Sequence, residues 1–429
     1  MYRFLLSCCL IAPGLPALAH NPAVPVGAED AASMRQGRVA DPAGPLTLPA
    51  ALSMALAANS ELSAARHELQ ALEASVLQAG ALPNPSLDLS MEDTRQDTRE
   101  TTLQLSQAIE LGGKRAARIR AAERGRAGAA AALDARQAEI RAAVIAAFFD
   151  VLAAQERVRL ARDAAALAQR ATDAASRRVA AGKVSPVEET RARLAASGVR
   201  LELVQAGSEL ASARKRLAGL WGDRSPRFGN AEGELAALPD LPQPGELQRR
   251  LAASPFLAMA RLEVDRRQAM AQLERSRRIP DLTLSVGVKR SEELGRNQAI
   301  VGMSIPLPLF DANRGNILEA VRRADKARDE LAVTEIRLDN ALALAYETLA
   351  GALQAANALR EEVLPGAESA YGAAAKGFEA GKFGFLDVLD AQRTLLQAKS
   401  EYLRALSEGH RAAADIGRIL GKPAPAARP

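Results

Sequence analysis

One unit of this chain is written twice, and that restricts the fold more than any single motif. Ala181-Gly182-Lys183 recurs 199 positions later as Ala380-Gly381-Lys382, and Gly222 matches Gly421 without an intervening gap. Glu202 matches Glu401, and Ser208-Glu209 matches Ser407-Glu408. Upstream, residues 85–90 match 280–285 at an offset of 195, with Leu87 and Leu89 reappearing as Leu282 and Leu284. The halves run over 46–222 and 246–421, joined by a Pro/Gly-rich stretch, 223–245, that reads as a connecting loop. Solenoid units are far shorter, so the pattern implies two similar halves about a pseudo-symmetry axis.

Each half repeats one order of elements: helix, strand, strand, long helix, helix. Thr47 is placed to cap a first helix running to about Gly80, and the long helix ends in a short turn at Ala-Gly-Lys. The long helices carry heptad spacing. The first has Ile140, Val144, Ala147, Val151, Ala154, Val158 and Ala161; the second has Leu338, Leu342, Ala345, Leu349, Ala352, Ala356, Leu359 and Val363. Composition agrees, because 48% of residues are hydrophobic but only 3% aromatic. Such apolar surface suits close helix–helix seams better than a compact core built on rings. A helix from 114 to 181 would reach roughly 100 Å at 1.5 Å per residue. Those over 47–80 and 186–220 are each near half as long, so two stacked end to end match one long helix. The fold class is mainly α, a wall four helices wide per chain, with a β contribution.

The strands alternate. Leu87, Leu89 and Met91 oppose Ser86, Asp88, Ser90 and Glu92, while Leu103 and Leu105 oppose Thr102, Gln104 and Ser106. In the second half Leu282, Leu284, Val286 and Val288 oppose Thr283, Ser285 and Gly287; Ala299, Val301, Met303 and Ile305 oppose Gln298, Gly302 and Ser304. Each segment is about nine residues, near the length a tilted transmembrane strand requires. Alternation alone fits a soluble sheet packed on helices equally well. Closure separates the two readings: an open four-stranded sheet would leave unpaired backbone groups in a bilayer. Four strands from each of three copies give twelve around an open lumen, so a cyclic homotrimer is expected. Asp88 and Glu92 then face the lumen, either favouring cations or simply keeping it wet.

Several function classes fall away. Arg3, an apolar run over 4–12 and Ala17-Leu18-Ala19 make a secretory signal over 1–19, which contains both cysteines, Cys8 and Cys9. Segments 20–45 and 422–429 are Pro- and Ala-rich and expected to be poorly ordered. The net charge of +5 is spread along helices, as at Arg157, Arg159, Arg162 and Asp163, so it reads as solvated faces with no nucleic-acid partner. His20, His67 and His410 are widely separated without a thiol beside them, so no bound metal or cofactor is expected. No Gly-rich phosphate loop, nucleophile elbow or metal triad marks an enzyme. A periplasmic coiled-coil scaffold or adaptor remains as a rival of another class.

Leu46-Thr47-Leu48-Pro49-Ala50-Ala51-Leu52, Pro83-Asn84-Pro85 and Phe385-Leu386-Asp387-Val388-Leu389-Asp390-Ala391-Gln392 complete the picture. With the duplication, they resemble the TolC-type outer-membrane factors of Gram-negative tripartite efflux and secretion systems, over about 46–421. The resemblance implies a homotrimer in outer-membrane lipid, its twelve-stranded β-barrel continuous with a twelve-helix periplasmic α-barrel, with an equatorial region from the linkers. It also implies assembly with a periplasmic adaptor (membrane fusion) protein and an inner-membrane RND pump. Gln107-Ala108-Ile109-Glu110-Leu111-Gly112-Gly113-Lys114-Arg115 and residues 304–315, Ser304-Ile305-Pro306-Leu307-Pro308-Leu309-Phe310 onward, are similar to the cobalt–zinc–cadmium resistance branch. That implies a passive exit duct for such cations, with a drug or protein-secretion duct as the alternative. Both stretches are also strand-to-helix junctions, where Gly112-Gly113 lets the chain turn and Pro306 and Pro308 end pairing.

The turns over 182–185 and 381–384 would form the far tips. Gly182 and Gly381 suit the left-handed position that ends a helix, and Ser185-Pro186-Val187-Glu188 reads as a capping box with Pro at N1. Asp387 and Asp390 share one face near the start of the returning helix, where acids complement the helix dipole. The resemblance implies a second role, an acidic aperture ring of two carboxylates per chain, with Lys183 or Lys382 as the basic residue beside it. It further implies that Gly182, Lys183, Ser185, Gly381, Lys382 and Phe383 form the tips that dock the adaptor. Aromatics are nearly absent from the strands, and Phe310 stands alone at one border.

Overall fold

A computed structural model describes residues 44–93, 95–380 and 382–421. The expected signal over 1–19, nearly all of 20–45, the tail over 422–429 and Gly381 lie outside the described residues. The first half contains β1 (Leu46–Thr47), α1 (Leu48–Ala58), α2 (Ser60–Gly80), β2 (Ser86–Glu92), β3 (Glu100–Ile109), α3 (Lys114–Ala180) and α4 (Pro186–Gly219). A short β4 (Ala231–Glu232) follows. The second half contains α5 (Pro244–Leu251), α6 (Pro255–Ser276), β5 (Leu282–Ser291), β6 (Arg296–Ser304) and α7 (Arg314–Ala358). It ends with a π-helical turn (Leu359–Val363), α8 (Leu364–Glu379) and α9 (Phe385–Leu420).

The heptads bury the expected stripe in α3, with Ile140, Val144, Val151, Ala154 and Val158 all buried. In α7 Leu342, Ala345, Leu349, Ala352 and Ala356 do the same, but Val363 is exposed. The sequence expectation fails there because Leu359–Val363 forms a π turn, which rotates the next side chains off the seam. α3 packs against α2 and α4 on one side and α6 and α9 on the other; α7 packs on α6 and α9, and α8 on α9.

The first helix corrects a second expectation. Thr47 ends β1 and its side chain caps nothing; the helical stretch over 47–80 is broken at Asn59. Asn59 Oδ1 accepts from the Glu61 and Leu62 N–H groups at 2.9 and 3.1 Å, while its Nδ2 donates to the Leu220 carbonyl at 2.8 Å. One side chain therefore caps α2 and ties it to the end of α4. The second half repeats the joint: buried Ser254 donates its hydroxyl to the Ile419 carbonyl of α9 at 2.6 Å. Positions 59 and 254, and 220 and 419, carry the offsets of the repeat.

The stretch over 223–245 is the expected connection, mostly without regular structure, and it is packed against the wall. β1 and β4 pair in parallel, Leu46 opposite Ala231, and Trp221, Phe228 and Leu235 are buried with Phe148 and Leu152 of α3. Gln155 grips Ala231 from both sides, accepting from its N–H at 2.7 Å and donating to its carbonyl at 3.0 Å. The connection is thus a strap held flat on the wall, since buried backbone groups must find partners.

Candidate functional site

The larger sheet runs β2-β3-β5-β6, antiparallel throughout. Register aligns Leu89, Leu103, Val288 and Ala299 in one row, and Leu87, Leu105, Val286 and Val301 in the next. Period-two alternation puts both rows on one face, which one chain leaves bare: Leu89 is 73% and Val301 84% exposed. The opposite face carries Asp88 beside Gln104, and Glu92 directly across from Glu100, whose carboxylate Lys289 pairs. β2 and β6 are open edges. Ile305 lies just past β6, not within it.

At the sheet's rim the first half turns tightly into α3. Gly112 and Gly113 have φ of 69° and 70°, and a Cβ on Gly112 would meet Ile279 at 2.8 Å. Asp281 accepts from the Leu111 N–H at 3.1 Å and from Lys114 Nζ at 2.6 Å, so this junction is fastened to the start of β5. Arg118 binds Glu110 and the Ala79 and Ala81 carbonyls; the Glu110 hydrogen bond holds its pKa above the usual arginine value.

At the far end α3 closes in a Schellman motif. The Lys183 N–H reaches the Arg178 carbonyl at 2.9 Å, Gly182 reaches Val179 at 2.9 Å, and Gly182 has φ of 68°. Ser185 caps α4 through the Val187 N–H at 3.3 Å. The expected capping box is not the arrangement found: Glu189, one residue beyond Glu188, takes the polar partners, Ser176 at 2.8 Å and Arg193. The second turn repeats the closing bond, Lys382 N–H to the Gly377 carbonyl at 2.8 Å, and half-exposed Phe383 lies near Gly377.

Asp387 and Asp390 are both exposed, but they are not equivalent. Asp387 Oδ2 folds back to accept the Gly384 N–H at 2.8 Å, capping its own helix. Within one chain the two hairpins are bridged by a further basic residue, Arg178. Arg178 stacks its guanidinium 4.3 Å above the Phe378 ring and donates to the Phe378 carbonyl at 2.9 Å. Its place in the sequence hides this role, because an Arg in a helix's last turn ordinarily only complements the dipole.

Midway along the wall, α3 and α9 floor a groove of about 1090 Å³ with α4 and α7 as its sides. It is lined by ion pairs, Arg157–Glu209 at 2.6 Å, Arg411–Asp150 at 2.7 Å and Arg418–Asp415 at 3.1 Å. His410, next to Arg411, is buried and stacks on Phe149 with ring centroids 3.4 Å apart, and its Nε2 meets the Leu235 carbonyl of the strap at 2.9 Å. Burial pushes its pKa below the usual histidine value. His67 is exposed beside Gln70, and His20 lies outside the described residues. Among the described residues no three His, Cys, Asp or Glu side chains gather where they could hold a metal, and no helix is long and apolar enough to cross a membrane.

Comparison with known proteins gives this geometry a context. The family model described as "Outer membrane efflux protein" matches residues 51–223 and 247–422. The cobalt-zinc-cadmium resistance protein CzcC of Cupriavidus metallidurans is 53% identical over 380 residues, 89% of this chain and 91% of that protein. Among solved structures, the open state of the Neisseria gonorrhoeae MtrE outer membrane channel matches with a TM-score of 0.75 and 20% identity, covering 87% of this chain and 89% of that one. CusC, described in terms of transmembrane channel formation, matches with a TM-score of 0.72 and 19% identity, covering 87% and 92%.

Proposed function

The chain belongs to the outer membrane efflux protein family, and from that premise we propose that three copies close into one exit duct for heavy-metal cations such as cobalt, zinc or cadmium. The protein is an outer-membrane efflux component that extends into the periplasm. One observation carries the proposal for assembly. The sheet is open along β2 and β6, and the helical wall is open along α2/α4 and α7/α8, the same two sides in both layers. Joining β6 of one copy to β2 of the next also joins α7/α8 to α2/α4. Val187, Leu194 and Leu201, one heptad apart on α4 and exposed in the single chain, then lie along α8 of the next copy instead of facing water. Closure removes every unpaired edge and leaves the bare apolar rows against lipid.

In this duct the strap of residues 223–245 girdles the outside, so the ion-paired groove on the opposite face of α3 and α9 lines the lumen. Asp88 and Glu92 line it higher up. Asp387 and Asp390 from three copies set six carboxylates as a constriction that keeps the periplasmic aperture narrow and meets cations with a charged ring once it opens. Adaptor hairpins dock on the tips at Gly182, Lys183, Ser185, Gly381, Lys382 and Phe383, and an inner-membrane RND pump supplies the energy. The duct itself works by passage, without a catalytic group.

The cargo rests on the identity to the Cupriavidus protein. A deletion strain tested metal by metal should lose tolerance to one or more of these cations and keep its drug tolerance. Drug sensitivity with unchanged metal tolerance would overturn the cargo assignment. For the aperture, Asp387→Ala with Asp390→Ala should raise single-channel conductance in planar bilayers; unchanged conductance would refute it.

A further inference from the structure

The first half's strand-to-helix junction locks onto the start of the next strand inside the chain, whereas the second half's is held, among the described residues, only at its base, by Asn313 on Glu274. Leu111, Gly112 and Lys114 lock onto Ile279 and Asp281, where α6 passes into β5. At the repeat offset the corresponding surfaces are the β6-to-α7 junction and the α2-to-β2 turn, which lie at opposite edges of one chain. Both sit at the same rim, since Ser86, Ile109, Leu282 and Ser304 are the strand ends on that side.

The two junctions differ in length. Residues 110–112 lie between Ile109 and the αL residue Gly113, whereas 305–312 lie between Ser304 and its αL equivalent, Asn313. The extra length is Pro-Leu-Pro-Leu-Phe, and it turns back on itself through the Leu309 N–H to the Leu307 carbonyl at 2.8 Å. It projects three large apolar side chains: Leu307, Leu309 and Phe310 are all exposed, the last at 101%. Asn313 anchors its base, donating to the Glu274 carbonyl at 2.9 Å. At the opposite edge of the rim is a cleft of about 540 Å³ between the end of α2 and α3, lined by Ala79, Ala81, Leu82, Pro83, Glu110 and Arg118. Arg115 stands beside it, bonded to the Gly80 carbonyl at 2.8 Å.

We infer that residues 305–312 are an intersubunit hook, seating Leu307, Leu309 and Phe310 in the α2–β2 cleft of a second copy and bringing Asp311 to that copy's Arg115. The inference rests on the trimeric reading above. The intrachain junction supplies its template, and the matching of an apolar projection at one edge to the apolar part of the cleft at the other, Ala79, Ala81, Leu82, Pro83 and Ala122, supplies its fit. The hook fixes the barrel rim to the helical wall at each subunit boundary, where strand pairing alone would leave the two layers independently hinged.

The test uses the full chain in detergent with Cys8→Ser and Cys9→Ser throughout, Phe310→Cys and Leu82→Cys combined, and Leu309→Cys with Leu82→Cys as a second pair. Mild oxidation should yield disulfide-linked dimers and trimers on a non-reducing gel for a pair, and none for any single substitution. Native mass on the same sample separates the outcomes. A trimer that cross-links through neither pair overturns the hook and leaves the assembly standing, whereas a chain that stays monomeric overturns both. Phe310→Trp in brominated-lipid vesicles gives an independent reading. Quenching no greater than that of wild type, whose one tryptophan, Trp221, is buried, supports the hook; strong added quenching puts the residue in lipid and overturns it.

Discussion

The two long helical spans cover the same part of the repeat in different ways. α3 is continuous for 67 residues. Its counterpart, from Arg314 to Glu379, is interrupted by the π turn at Leu359–Val363. At the offset of 199, Leu364-Pro365-Gly366 stands where α3 has Ala165-Ala166-Leu167. Proline lacks a donor and its ring collides with the carbonyl four residues back, so the preceding turn widens to make room. Burial then resumes at Ala367 and Ala374, the counterparts of buried Ala168 and Ala175. The interruption is absorbed within two turns, and the register at the tip survives. What the repeat preserves is the ends of helices, where they meet neighbours; the middle is free to vary.

That contrast can be broken most severely by exchanging the residues. Ala166→Pro should cost about 3 kcal/mol or more, because α3 has no widened turn to receive it, while Pro365→Ala should be tolerated and raise hydrogen-exchange protection over 359–363. Melting and exchange measurements on both variants check this, and equal losses would contradict it. A smaller effect separates the two joints. Asn59→Ala removes a cap and leaves the Leu220 carbonyl without its partner, a loss of roughly 2–3 kcal/mol. Ser254→Ala strands only the Ile419 carbonyl and should cost about 1–2 kcal/mol in the same denaturation assay. The reverse order would show that the two residues do not share one role.

The smallest effect concerns His410, which stands where the first half has Ala211. Its pKa is lowered from 6.5 by burial, so the folded protein favours the neutral ring. Below that value the unfolded chain takes up a proton that the folded chain resists, and stability falls as pH drops. Thermal melting should therefore show an acid-side loss for the wild type that shrinks in His410→Gln. An identical pH profile would remove His410 as its source.

The sequence made the repeat, the seams and the four alternating strands readable, because each has a period that survives without tertiary information. What the sequence leaves unread has one physical cause: the deciding partner lies far along the chain. Asn59 looks like a tolerated polar residue inside a helix until the Leu220 carbonyl stands beside it. Pro and Gly mark 223–245 as a connection, but nothing local shows that Phe228 and Leu235 within it are buried against α3. At the tip, Arg178 finds Phe378 two hundred residues away. The groove's ion pairs likewise join α3 to α4 and to α9, pairings that helical spacing cannot register.

Three such chains, each meeting the open edges of its identical neighbours, make one closed duct. Native mass spectrometry of the detergent-extracted protein tests it most directly. A closed duct requires a complex of three chains that needs detergent to leave the outer membrane. A monomer or dimer, or release into buffer without detergent, would contradict it.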